Sequence, residues 1–122
     1  MMTRILLAAA LTMVAAPVRA ADGQLLYNNL CRTCHAVQPG DHRLGPSLAG
    51  VHGRKAGSAE GFPYSASMKG ADITWTDETL DAFLTDPDAV VSGNGMKPFG
   101  GIASEEERRS IVEYLKTLPA EG

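Results

Sequence analysis

The pattern of apolar and polar positions divides the chain into a few short helical stretches separated by long stretches without a period. An apolar run from Ile5 to Ala16 comes first and ends in Pro17-Val18-Arg19-Ala20. Beyond it, Leu26, Tyr27, Leu30 and Cys34 recur at three- and four-residue steps, which predicts one apolar helix face through His35, with Asp22 placed to cap it. From Pro39 to about Ile73, Gly, Pro, Ser and short charged residues dominate and no period persists. A further helix is expected after Trp75, with Thr76 as its cap, Leu80, Phe83 and Leu84 as its apolar face and Asp86-Pro87 as its stop. The Gly-rich run Ser92 to Gly101 follows. The last helix is the clearest: Ser104 and Glu107 form a capping box, Glu105 to Glu107 sit at the positive end of the dipole and Lys116 sits near the negative end. Its buried face is expected to be Ile111, Tyr114, Leu115 and Leu118, and Pro119 stops it. The pattern holds no strand-like alternation and no internal repeat, so it predicts an all-α domain of three to five short helices with long loops.

Composition changes this picture in one respect. Fifteen of the first twenty residues are apolar, whereas the 102 that follow hold 39. That is a thin supply for a domain that must bury its own core, so something besides aliphatic side chains is expected to fill the interior. The N-terminal run has Arg4 before it and a Val-x-Ala pattern after it, the layout of a secretory signal peptide cleaved after Ala20. Its 12 residues fall short of the roughly 20 that a membrane span needs. Residues 1–20 are therefore expected to be removed and 21–122 to form a single exported, periplasmic domain without stable membrane insertion, acting as a monomer. Loss of Arg4 and Arg19 moves the net charge from −3 to −5, which excludes nucleic acid as a partner.

Both cysteines of the chain stand in Cys31-Arg32-Thr33-Cys34-His35, the Cys-x-x-Cys-His pattern of c-type haem attachment. Positions i, i+3 and i+4 project from one helix face, so two thiols and one imidazole can meet the same flat ligand. Each thiol can add across a haem vinyl group, and His35 can give a nitrogen to the iron. Three other chemistries use the same residues. A thioredoxin-like pair needs a βαβ setting, and the pattern contains no strand. A zinc site would have to recruit Cys31, Cys34, His42 and His52, at spacings that match no common finger. A disulfide would close too short a loop to constrain the unfolded chain and leaves the adjacent His35 unexplained. A covalent haem c, by contrast, accounts for the thin core and gives the long loops a surface to pack on.

The sixth iron position decides between electron transfer and small-molecule chemistry. Beyond the signal segment the methionines are Met68 and Met96. Met68 follows a loop run and reads as core filler. Met96 lies among Gly93, Gly95, Gly100 and Gly101, a backbone able to wrap closely over a flat ligand, and is the expected axial ligand opposite His35. His42 and His52 are its rivals.

These segments, in this order, resemble a class I cytochrome c, in particular the mitochondrial type and its bacterial periplasmic relatives. The resemblance runs from Gly23 to Leu118: Tyr27 four residues before the first cysteine, Gly45-Pro46-Ser47-Leu48 with Gly53-Arg54-Lys55, Gly61-Phe62-x-Tyr64-Ser65, Ile73-Thr74-Trp75, and Ile111 with Tyr114-Leu115. It implies that Tyr27 packs on the last helix and that Pro46 offers its carbonyl to the second nitrogen of His35. It further implies that Arg54, Tyr64 and Trp75 hold a haem propionate and that Phe99 covers the haem edge. The chain departs from the family pattern at Phe83, where a tyrosine is usual near the methionine sulfur, and at Met68, where an asparagine is usual. Asn94 replaces a common threonine and is expected to remain able to donate to the sulfur, and Lys97-Pro98 adds one residue before Phe99.

The expected function is a one-electron carrier that is not an enzyme, since no acid, base or nucleophile is required. The partners implied are redox proteins: a donor such as a quinol:cytochrome c reductase, and an acceptor such as a terminal oxidase, a reductase or a photosynthetic reaction centre. Leu30, Asp88 and Ala89 stand where docking lysines are common in the family, which implies a weakly charged docking surface. The alternative is a haem-based peroxidase or gas-binding sensor with a labile sixth ligand.

Overall fold

A computed structural model describes residues 20–120 of the chain. The expected signal peptide, except for Ala20, lies outside the described residues. Five helices are present among them: α1 (Ala20–Leu30), α2 (Ala66–Lys69), α3 (Asp77–Thr85), α4 (Pro87–Val90) and α5 (Glu105–Lys116). Extended pairing is confined, among these residues, to one antiparallel bridge between Lys55 and Thr74. The architecture is therefore all-α, as the periodicity predicts.

The two terminal helices pack on each other, and α3 packs on both α5 and α4. Gly23 makes the first crossing possible. A β-carbon there would overlap the Ser110 carbonyl oxygen and sit 2.8 Å from Cβ of Tyr114, so only glycine lets α1 reach α5. One turn on, the rings of Tyr27 and Tyr114 stand 5.4 Å apart, as the resemblance implies. Three details of α1 differ from the expected helix. Ala20 and Ala21 are already helical, so Asp22 lies in the first described turn, where its charge suits the dipole, and not at the cap. Its regular ladder ends at Leu30, because the Tyr27 carbonyl accepts from both Cys31 and Arg32, at 2.8 and 3.0 Å. Leu30, expected on the buried face, is 43% exposed.

Helix α3 follows its sequence closely. Thr76 and Thr79 form a reciprocal capping box, and Leu80, Phe83 and Leu84 are buried. Asp86 ends it, and Pro87 at once opens α4, a use of proline's fixed φ at a helix start. At α5 the Ser104 hydroxyl accepts from the Glu107 N–H at 3.2 Å, the forward arm of the expected box. Its buried face is wider than its apolar stripe, for Arg108, Ser110 and Val112 join Ile111, Tyr114 and Leu115. Arg108 is held in place by Asp81 at 2.8 Å and by the Ile102 and Ala103 carbonyls at 2.8 and 2.9 Å, the pairing a buried guanidinium requires.

The long aperiodic stretch is ordered by individual hydrogen bonds. Fully buried Ser47 donates to the Gln38 carbonyl at 2.6 Å, and its N–H donates to Nδ1 of His42 at 3.0 Å. Nε2 of His42 reaches the Glu60 carbonyl at 2.8 Å and ties two loops together. None of the described helices is long and apolar enough to cross a membrane.

Candidate functional site

The turn that ends α1 carries Cys31, Cys34 and His35. Cys34 N–H bonds to the Cys31 carbonyl at 3.1 Å and His35 N–H to the same oxygen at 3.0 Å, so the motif continues in helical turns just past the regular helix. No disulfide joins Cys31 to Cys34 in the structure. Cys31 is buried, and burial, followed by the proximity of Cys34, pushes its pKa up to about 11.

His35 is 7% exposed. Its Nδ1 lies 2.8 Å from the Pro46 carbonyl. A carbonyl only accepts, so Nδ1 holds the proton and the lone pair is left on Nε2. Burial lowers the imidazole pKa more than the Pro46 bond raises it, and the ring stays neutral, the form that binds a metal. Gly45 lies against the ring: a β-carbon there would collide with Cε1 and come within 2.7 Å of Nδ1. The Gly45-Pro46 pair therefore fixes both the face and the tautomer of this imidazole.

Met96 and Phe99 are half-buried and pack against the same apolar core that contains Cys31, Trp75 and Phe83. Met68, by contrast, is a buried core residue of α2. Trp75 is buried with its ring 5.0 Å from that of Phe83. Arg54 donates to the Ala49 carbonyl at 2.8 Å and the Ser47 carbonyl at 3.2 Å, and the Tyr64 oxygen accepts from the Ala59 N–H at 3.1 Å. Both side chains thus sit on the loop that runs from His35.

Asn94 corrects an expectation. Its amide group donates to Oδ1 of Asp88 at 2.9 Å and to the Val91 carbonyl at 3.0 Å, while its oxygen accepts from the Met96 N–H at 2.6 Å. Both of its donors are committed away from any sulfur. Gly45, Ser47, His42 and Asp88 take roles in the structure that sequence reasoning did not give them. The first two fall inside the Gly45-Pro46-Ser47 segment that marks the resemblance, but the other two make contacts no local pattern announces.

The residue set fits a covalent haem. Two cysteine side chains and a neutral imidazole with Nε2 as acceptor share one turn, a glycine lies against that imidazole, and a thioether lies on the same core. The zinc reading fails, because His42 bonds to loop backbone and His52 pairs with Asp77 at 2.7 Å. Among the described residues no three His, Cys, Asp or Glu side chains cluster as a metal site.

A family model described as cytochrome c matches residues 20–119. The chain belongs to the cytochrome c family. Cytochrome c2 iso-2 of Magnetospirillum molischianum is 45% identical over 89 residues, which cover 73% of this chain and 91% of the relative. Cytochrome c2 of Blastochloris viridis is 37% identical over 109 residues, 88% of this chain and 84% of that one. Among solved structures, cytochrome cH from Methylobacterium extorquens superposes with a TM-score of 0.75 at 35% identity and covers 81% of this chain and 98% of its own. As a cytochrome c, the protein binds haem c covalently and serves as an electron carrier.

Proposed function

We propose that this cytochrome c is an exported, periplasmic carrier of one electron, whose haem is joined through Cys31 and Cys34 and ligated by His35 and Met96. The observation that carries the reading is the 2.8 Å contact between His35 Nδ1 and the Pro46 carbonyl, which leaves Nε2 as the metal-binding atom of a buried, neutral ring. The haem, when bound, supplies an iron that cycles between two oxidation states. A thioether is a soft, weak donor that favours the reduced iron, so a Met96 ligand sets a relatively high potential.

Arg54, Tyr64 and Trp75 serve a haem propionate, which needs N–H and O–H donors if it is to be buried. Phe99 shields the haem edge. The family match starts at residue 20, which supports a separate leader before it. The partners are redox proteins, a donor such as a quinol:cytochrome c reductase and an acceptor such as a terminal oxidase, a reductase or a photosynthetic reaction centre. Asp88 and Lys97 neutralise one another, so docking relies little on electrostatic steering.

The test is a redox titration of the purified holoprotein followed by visible spectroscopy. The reading requires a single reversible one-electron wave at positive potential and slow carbon monoxide binding to the reduced form. Rapid carbon monoxide binding at neutral pH would instead support the sensor or peroxidase alternative.

A further inference from the structure

The carboxylate of Asp88, on α4, reaches both flanks of Met96. One oxygen accepts from Nδ2 of Asn94 at 2.9 Å and the other from Nζ of Lys97 at 2.5 Å. Asn94 is 8% exposed, and its remaining capacity is spent on the Val91 carbonyl and on the Met96 N–H. Its amide orientation is fixed by these partners, since two acceptors face the NH2 group and one donor faces the oxygen. The backbone at Met96 can swing out only by breaking its N–H bond to the Asn94 oxygen or by pulling Asn94 off Asp88 and off the Val91 carbonyl, the last of these bonds being buried. The Lys97 contact is different, with side chains 67% and 47% exposed, and such pairs contribute little.

We infer that Asp88 and Asn94 are positioning residues that clamp the Met96 backbone to α4 and slow the opening of the sixth iron position. The inference rests on Met96 as the axial ligand. The Gly-rich run that can wrap closely over a flat ligand is thereby pinned at its centre.

The test is the limiting rate at which excess imidazole displaces the sixth ligand of the ferric holoprotein, read from loss of the far-red iron–sulfur absorption band. Asn94→Ala is expected to keep that band at rest yet open about tenfold faster, the rate effect of losing roughly one buried hydrogen bond. Asp88→Ala is expected to accelerate opening by about threefold or more, and the double variant to be no more than about twofold faster than Asn94→Ala, because the two side chains act as one unit. Lys97→Ala is expected to change the rate by less than about threefold. Asn94→Ser, which keeps an oxygen for the Met96 N–H, is expected to recover part of the retardation. Val112→Ala, a core truncation in α5, is expected to lower global stability while leaving the opening rate within about twofold of the parent. The clamp is overturned if Asn94→Ala, Asn94→Ser and Asp88→Ala all open at the parent rate, or if Val112→Ala accelerates opening as much as they do. If the band survives Met96→Ala, the ligand reading falls and the clamp's role falls with it. If Met96→Ala abolishes the band while Asn94→Ala and Asp88→Ala behave like the parent, the ligand reading stands and the clamp alone is wrong.

Discussion

The carbonyl oxygen of Pro46 lies 2.8 Å from Nδ1 of His35, and the residue that brings it there, Gly45, lies against the same ring. The bond selects the tautomer and the glycine admits the imidazole. A side chain at position 45 must push the ring or the loop aside, because a β-carbon would come within 2.7 Å of Nδ1 and 2.9 Å of Nε2. Gly45→Ala is expected to cost about 3 kcal/mol of holoprotein stability, the upper range for overpacking a fitted site. Pro46→Ala keeps the carbonyl and loses only ring rigidity, which places it at about 1 kcal/mol or less. Guanidinium unfolding monitored in the Soret region measures both, and equal costs would contradict the packing argument.

The α1–α5 crossing gives a second expectation. Gly23→Ala places a methyl group against the Ser110 carbonyl and Cβ of Tyr114, two groups fixed inside a helix. A loss of about 3 kcal/mol is expected, since neither helix can yield locally. Gly100→Ala is the control, for its β-carbon meets nothing within 4 Å, and a change within about 0.5 kcal/mol is expected there. Thermal unfolding of the two variants beside the parent distinguishes a specific crossing from a general intolerance of alanine.

How much of this was legible in the sequence depends on the range of the interaction. Helices α3 and α5 could be read because Thr76 and Ser104 cap them locally and Leu80, Phe83, Ile111 and Leu115 repeat at helical steps. The four-residue helices α2 and α4 could not, since one turn has no period to detect, and Pro87 read as a stop when it is also a start. Residues proposed to hold the haem could be named from a contiguous motif and a resemblance. The partners of Asn94 could not, because Asp88 meets it only after α4 has turned the chain back. No local pattern announces that Arg108 is buried, because the contact that buries it is with Asp81, 27 residues away.

Tyr27 carries the pH prediction. Burial, with lesser effects from Cys31 and Tyr114, pushes its pKa up to about 12 from an ordinary 10.0. The unfolded chain therefore releases this proton first, and stability falls as pH rises from about 10 toward 12, with a slope of up to one proton. Tyr27→Phe is expected to remove that slope. It is also expected to stabilise the protein at neutral pH by about 1 kcal/mol, since among the described residues the buried hydroxyl has no hydrogen-bond partner. Urea unfolding at neutral and alkaline pH checks both, and an unchanged alkaline slope in Tyr27→Phe would contradict them.

Closure of the iron by His35 and Met96 together is read from the ferric absorption spectrum of the holoprotein and two variants. The far-red absorption band of an iron–sulfur bond is expected in the parent and in Met68→Ala, and its loss is expected in Met96→Ala. A parent protein without the band, or a Met96→Ala variant that retains it, would contradict ligation by Met96.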